Sequence, residues 1–184
     1  MDFMRCKACG YITTEKKLGK VCPACGLPRT VFEPYKETMS KKRKMLLDFN
    51  LHPISVHFPQ AFVIFIAFLI LLSLPAPQSI ASDLMNTVKV LAFFLPLTVI
   101  PAITCGLIDG MTRFRKITTP HLITKIIAGT TLLILSVIMA VVTFFYGIEY
   151  PGNLYIFILS LACISCQVIL GEIGKTLLNA KLPG

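Results

Sequence analysis

The chain changes character near residue 50. Before it, polar and basic residues dominate; from Ile54 to Leu177 the residues are mostly apolar. Four apolar segments stand out, near 54–74, 84–108, 120–146 and 153–176. Each reaches the ~20 residues a helix needs to cross ~30 Å of hydrocarbon. Turn-rich breaks separate them: PAPQS at 75–79, DGMTRFRK at 109–116 and YGIEYPGN at 146–153. Backbone polar groups in lipid need partners within the segment, so the apolar stretches predict helices rather than strands. The pattern predicts an all-α membrane protein: a four-transmembrane-helix bundle over 51–184, preceded by a small head at 1–36 and a basic linker or short surface helix at 37–50.

Composition agrees. Of 184 residues 55% are hydrophobic, and the mean hydropathy of +0.75 is too high for an ordinary soluble domain. The formal net charge of +9 needs no nucleic acid to explain it. Lys41, Lys42, Arg43 and Lys44 adjoin the first apolar segment, where such runs set orientation and meet anionic lipid headgroups. The start, MDFMRCKACG, has no basic region ahead of a short apolar run, so the head is expected to stay on the side where it is made. Loop charge points the same way. Arg113, Arg115 and Lys116 follow the second segment, and Lys175 and Lys181 follow or close the fourth; the other two loops carry no Lys or Arg. The expectation is a multi-pass protein of the cell (inner) membrane with both termini cytoplasmic.

The head carries CKACG at 6–10 and CPACG at 22–26. Two such C-x-x-C pairs in a short segment direct four thiolates, Cys6, Cys9, Cys22 and Cys25, to one metal ion. Disulfides are disfavoured in a reducing compartment. An all-sulfur tetrahedral site suits iron or zinc. The head is too small for a large core, so the metal should supply much of its folding energy. Cys105, Cys163 and Cys166 read as small packing residues of membrane helices.

CKACGYI followed by VCPACGLPRTVFEPY, with twelve residues between the pairs, resembles the short rubredoxin domain of rubrerythrins over about residues 4–35. That resemblance implies one iron on the four cysteines, cycling between ferrous and ferric; zinc is the alternative.

All three histidines fall at helix ends on the expected cytoplasmic side, His52 and His57 at the first helix and His121 at the third. Ionisable residues at membrane depth are functional candidates by default. His52 and His57 are five residues apart, about 140° around a regular helix, and do not share a face. Pro53 suits a first helical turn, which puts His52 just outside the helix. His57 and His121 are therefore the expected pair, two facing ligands for a b-type haem. His52 is their neighbour or a substitute ligand. Asp109, Lys125 and Arg113 are expected to meet haem propionates or a quinone headgroup.

LHPISVHFPQAF, CGLIDG, PHLI and LGEIG together resemble the four-helix membrane domain of unknown function called DUF2231, over about residues 50–177. That family's fusions to Rieske and rubredoxin modules imply redox work. This chain departs from its pattern at Lys125, commonly Asn, and at the GEIGKTLL end. The leading reading is a membrane-bound electron-transfer protein, an oxidoreductase component, linking the head iron to a membrane haem or quinone and to a cytoplasmic redox partner protein. A homo-oligomer stands among its candidate assemblies. One alternative is a non-haem iron oxidoreductase using His52, His57, His121, Asp109 and Glu172; it lacks a Glu-x-x-His pair and enough carboxylates. The other is a zinc-binding membrane scaffold. Phosphate-binding loops, nucleophile–base motifs and the repeats of transporters are missing from the sequence.

Overall fold

The computed structural model describes residues 3–36, 40–116 and 118–178; Lys181, counted above for orientation, lies outside them. The chain divides into two compact units between Lys41 and Lys42.

The first unit is a three-stranded antiparallel sheet in the order β2–β1–β3, formed by β1 (Phe3–Cys6), β2 (Ile12–Thr14) and β3 (Phe32–Tyr35). β1 is central: Arg5 pairs with Ile12 on one side and Glu33 on the other, and Cys6 pairs with Phe32. The buried centre consists of Cys6, Leu18, Cys22 and Phe32, flanked by Met4 and Val31. Two of those four are candidate metal ligands. So small an apolar core cannot hold a domain by itself.

The second unit contains α1 (Lys41–Asp48) from its second residue on, α2 (Leu51–Ser73), α3 (Gln78–Phe114), α4 (Pro120–Tyr146) and α5 (Gly152–Leu178). Asn50, with φ of 50°, breaks the chain between α1 and α2. Short connections at 74–77, 115–119 and 147–151 make α2 to α5 run up and down, and α5 closes back on α2. All four are long and apolar enough to cross a membrane.

The inward faces repeat at steps of three or four. In α3 they are Met85, Val88, Ala92, Leu95, Val99 and Ala102; in α4, Gly129, Leu132, Ser136, Met139 and Thr143; in α5, Gly152, Ile156, Ser160, Cys163 and Gln167. This period near 3.5 is the knobs-into-holes seam of a left-handed bundle. The outward faces are as apolar as the seam: Phe65, Phe68, Leu72, Phe93, Leu97, Ile134 and Leu161 are all exposed. Exposed apolar surface on every side suits lipid as the solvent.

Buried hydroxyls are satisfied within their own helices, Ser136 by the Leu133 carbonyl, Thr143 by Met139 and Ser160 by Phe157, each at 2.7 Å. Gln167 is different. Its Nε2 donates across the bundle to the Pro59 carbonyl at 3.0 Å, tying α5 to α2. Replacing it with leucine keeps the volume and removes the tie. Gln167→Leu should cost about 0.5–1.5 kcal/mol, read as earlier unfolding of detergent-solubilised protein; an unchanged transition would deny that bond any weight.

Candidate functional site

The two cysteine pairs sit on matching turns. Gly10 N–H donates to the Cys6 carbonyl at 2.9 Å, and Cys6 N–H to Tyr11 at 2.9 Å. In the second turn Gly26 donates to Cys22 at 2.8 Å, and Cys22 to Leu27 at 2.7 Å. Closing each turn takes a positive φ, 76° at Gly10 and 75° at Gly26, which explains the glycine after each second cysteine. Two lateral bonds lock the turns: Lys7 N–H to Val31 and Arg29 N–H to Lys20, both 3.0 Å.

The result is four sulfur atoms within 4.8 Å of one another. Cys6 Sγ lies 3.8 Å from Cys25 Sγ, and Cys9 Sγ 3.7 Å from Cys22 Sγ. A tetrahedral ion with metal–sulfur bonds of ~2.3 Å would have sulfur–sulfur edges of about 3.8 Å, so the donor set fits a single iron or zinc ion. Cys6 and Cys22 are buried and Cys9 and Cys25 are exposed, so one side of the centre faces outward. Among the described residues no other group of three Cys, His, Asp or Glu side chains converges this way.

The thiols show what the metal must do. At Cys22 loss of water raises the pKa, but the amide N–H groups of Cys25 and Ala24 and two neighbouring thiols outweigh it, lowering it to about 7. At Cys25 the Leu27 amide pulls down, but desolvation and the three other sulfurs push the thiol up to about 12. Four thiolates cannot share this volume without a cation among them. With an ion bound, the same N–H groups aimed at sulfur would stabilise the negative charge of its thiolate ligands.

Lys125, His52, Asp109 and Arg113 meet at one end of the bundle. Lys125 Nζ is 3.4 Å from His52 Nε2, and His52 Nδ1 is 3.3 Å from the Ala102 carbonyl. The carbonyl can only accept, so Nδ1 carries a hydrogen. Lysine is the stronger base, so Lys125 donates to Nε2 and the imidazole is neutral. The ring packs close against α3 because residue 106 is glycine: a Cβ there would stand 2.9 Å from His52 Cε1. Arg113 Nε donates to both oxygens of Asp109, at 3.0 and 2.9 Å, and these charges act on both His52 and Lys125.

The other expected ligands lie elsewhere. His57 is exposed, its Nδ1 on the Pro53 carbonyl of its own helix; His121 is exposed at the start of α4. The expected order is thus reversed: His52 faces inward and His57 outward. The expectation that His52 lies outside the helix also needs correcting, because α2 begins at Leu51. The reason is register. The buried stripe of α2 runs Pro59, Val63, Ile66 and Ile70. His52 is seven residues before Pro59, about 20° off that stripe, whereas His57 is two before it, about 200° away. Extending the stripe backward through the sequence would have found this. Glu172 is exposed and paired with Lys175 at 2.6 Å.

Comparison with known proteins agrees on the head. Residues 5–33 match the family model described as "Rubrerythrin, rubredoxin-like domain". Over 32 residues the chain is 53% identical to a rubrerythrin of Porphyromonas gingivalis (strain ATCC BAA-308 / W83), a stretch covering 17% of this chain and 16% of that protein. The chain therefore spans about one sixth of the curated relative it matches. No solved structure matches significantly. The protein thus has a small rubredoxin-like domain with a four-cysteine metal site, followed by four membrane-capable helices.

Two outcomes follow for the site. Cys22→Ser should take metal content from one ion per chain to a small fraction and unfold the head, read by metal analysis and thermal melting. Metal should also leave as pH falls, since protons compete for the thiolates. For the bundle, ¹⁵N NMR of detergent-solubilised protein should show His52 neutral with hydrogen on Nδ1. Gly106→Val should displace the ring and shift both nitrogen signals; an unshifted pair would contradict the packing described.

Proposed function

We propose that this protein is a membrane-anchored electron-transfer protein whose rubredoxin-like head holds one iron on Cys6, Cys9, Cys22 and Cys25. The observation that carries this reading is the four-sulfur cluster with tetrahedral spacing and amide N–H groups directed at its sulfurs. When bound, iron supplies a one-electron ferrous/ferric couple. The two glycine-closed turns would hold the thiolates in place as the iron changed oxidation state, and they leave Cys9 and Cys25 at the surface for exchange with a soluble redox protein. The amide groups of Tyr11, Ala24, Cys25 and Leu27 stabilise negative charge on sulfur and set the potential.

The bundle's part is to keep that centre at a membrane, and its likeness to the DUF2231 domain, with cytoplasmic termini, supports a redox setting. The membrane-side partner in this reading is a lipid-soluble quinone. Support comes from the meeting of polar side chains at one end of the bundle, His52 with Lys125 beside Asp109 and Arg113. A haem between His57 and His121 draws no support from two exposed imidazoles.

Purified full-length protein should contain one iron per chain. Its visible absorption should bleach on reduction and return on adding a short-chain quinone. Stoichiometric zinc with no redox-active absorption would overturn the proposal in favour of a zinc-binding scaffold. A sharp Soret band would restore the haem.

A further inference from the structure

The helix α1 is not explained by electron transfer. It is joined to the bundle end by two bonds from Arg43, Nε to the Thr112 carbonyl at 3.0 Å and Nη2 to the Arg113 carbonyl at 3.3 Å. These are last-turn carbonyls of α3, which have no helical partner of their own and carry the negative end of the helix dipole. Arg115 ends α3 in the left-handed region, its N–H on the Met111 carbonyl. A cation from α1 thus caps α3, and Leu47, one turn on from Arg43, is buried on the same face.

That contact fixes what the opposite face presents. Lys41, Lys42, Met45 and Leu46 are all exposed, as is Phe49 just past the helix, Met45 and Phe49 each by 56%. An exposed strip of long cations and large apolar side chains is costly in water. It is the composition of a helix lying in a headgroup layer, apolar groups dipping toward acyl chains and ammonium groups rising to phosphate. The end of α3 adds Arg115 and Lys116, both exposed. Charge separates the two ends of the bundle. This end also holds Arg43, Lys44, Arg113, Lys125 and Lys175, against Asp48, Asp109 and Glu172; the far end holds Lys89 against Asp83 and Glu149. Length agrees as well. The 37 residues of α3 span about 55 Å, well beyond ~30 Å of hydrocarbon, so the capped end reaches the headgroup zone.

We propose that α1, pinned by Arg43 to the end of α3, is a membrane-surface helix, and that with Arg115 and Lys116 it forms a cationic shelf for the phosphates of anionic phospholipids. The partner is lipid rather than an acidic protein because Met45, Leu46 and Phe49 lie among the cations and need an apolar cover that a headgroup layer provides.

Native mass spectrometry of the full-length, metal-loaded protein in detergent tests this, with phosphatidylglycerol and phosphatidylcholine of matched chains as probes. Phosphatidylglycerol should be retained about tenfold more strongly or better, and the preference should fall with added salt. Combined Lys41→Gln, Lys42→Gln, Arg115→Gln and Lys116→Gln changes, all at exposed positions, should abolish it. Arg43→Gln should weaken it several-fold with those four cations still present, because α1 is no longer held. Glycerol phosphate without acyl chains should compete poorly. Equal retention of the two lipids, or a four-site variant that keeps the preference, overturns the proposal. So does cross-linking of α1 to α1 in a stable dimer, which would make a second copy the cover.

Discussion

Four sulfur atoms within 4.8 Å of each other are the constraint on which the head depends. Their charges repel at so short a range that the arrangement persists only around a cation. Everything else in the first unit serves that arrangement. Two glycine-closed turns aim the thiolates, β1 sets Cys6 at its end, and the lateral bonds of Lys7 and Arg29 stop the turns from sliding. With Leu18 and Phe32 as the other buried residues, the ion substitutes for the core that a chain of this length cannot build. The same sulfurs that hold the fold are the electron's route in the proposed function.

The bundle obeys a different constraint. Lipid offers no hydrophobic reason for helices to associate, since its tails are as apolar as leucine. Association rests on close packing along the three–four seam, where Ala92, Ala102, Gly110, Gly129, Ser136 and Ser160 allow the helices near approach. Polar links across helices add to this packing, among them Gln167 to Pro59, His52 to Ala102 and to Lys125, and Arg43 to the end of α3. Those of His52 and Arg43 gather at one end, which is also the cationic end. The bundle is thus apolar along its length and chemically distinct at one rim.

Much of this was legible in the residues. Helix count, the short loops and the four metal ligands follow from patterns with a local cause: uninterrupted apolar runs, Pro- and Gly-rich breaks, and C-x-x-C-G turns that aim two thiolates each. The boundaries were less legible. α3 runs from Gln78 to Phe114 rather than 84 to 108, because amphiphilic ends such as QSIASD and IDGMTRF continue the helix past the apolar stretch. The histidines were the hardest. Their number and depth mark them, but the choice between His52 and His57 depends on which face α2 turns inward.

What the sequence alone determined, then, is the division into a four-cysteine head and a membrane-capable body and the choice of Cys6, Cys9, Cys22 and Cys25 as the cysteines that cluster. Each follows from local spacing or from hydropathy, neither of which needs a partner segment. Only the tertiary structure decided that His52 meets Lys125, that Gly106 makes room for the imidazole, and that Arg43 caps a helix end 69 residues away in the chain. Those contacts join helices whose relative rotation is set by the seam. A side chain's periodicity shows that it has an inward face, but only the neighbouring helix determines what stands opposite.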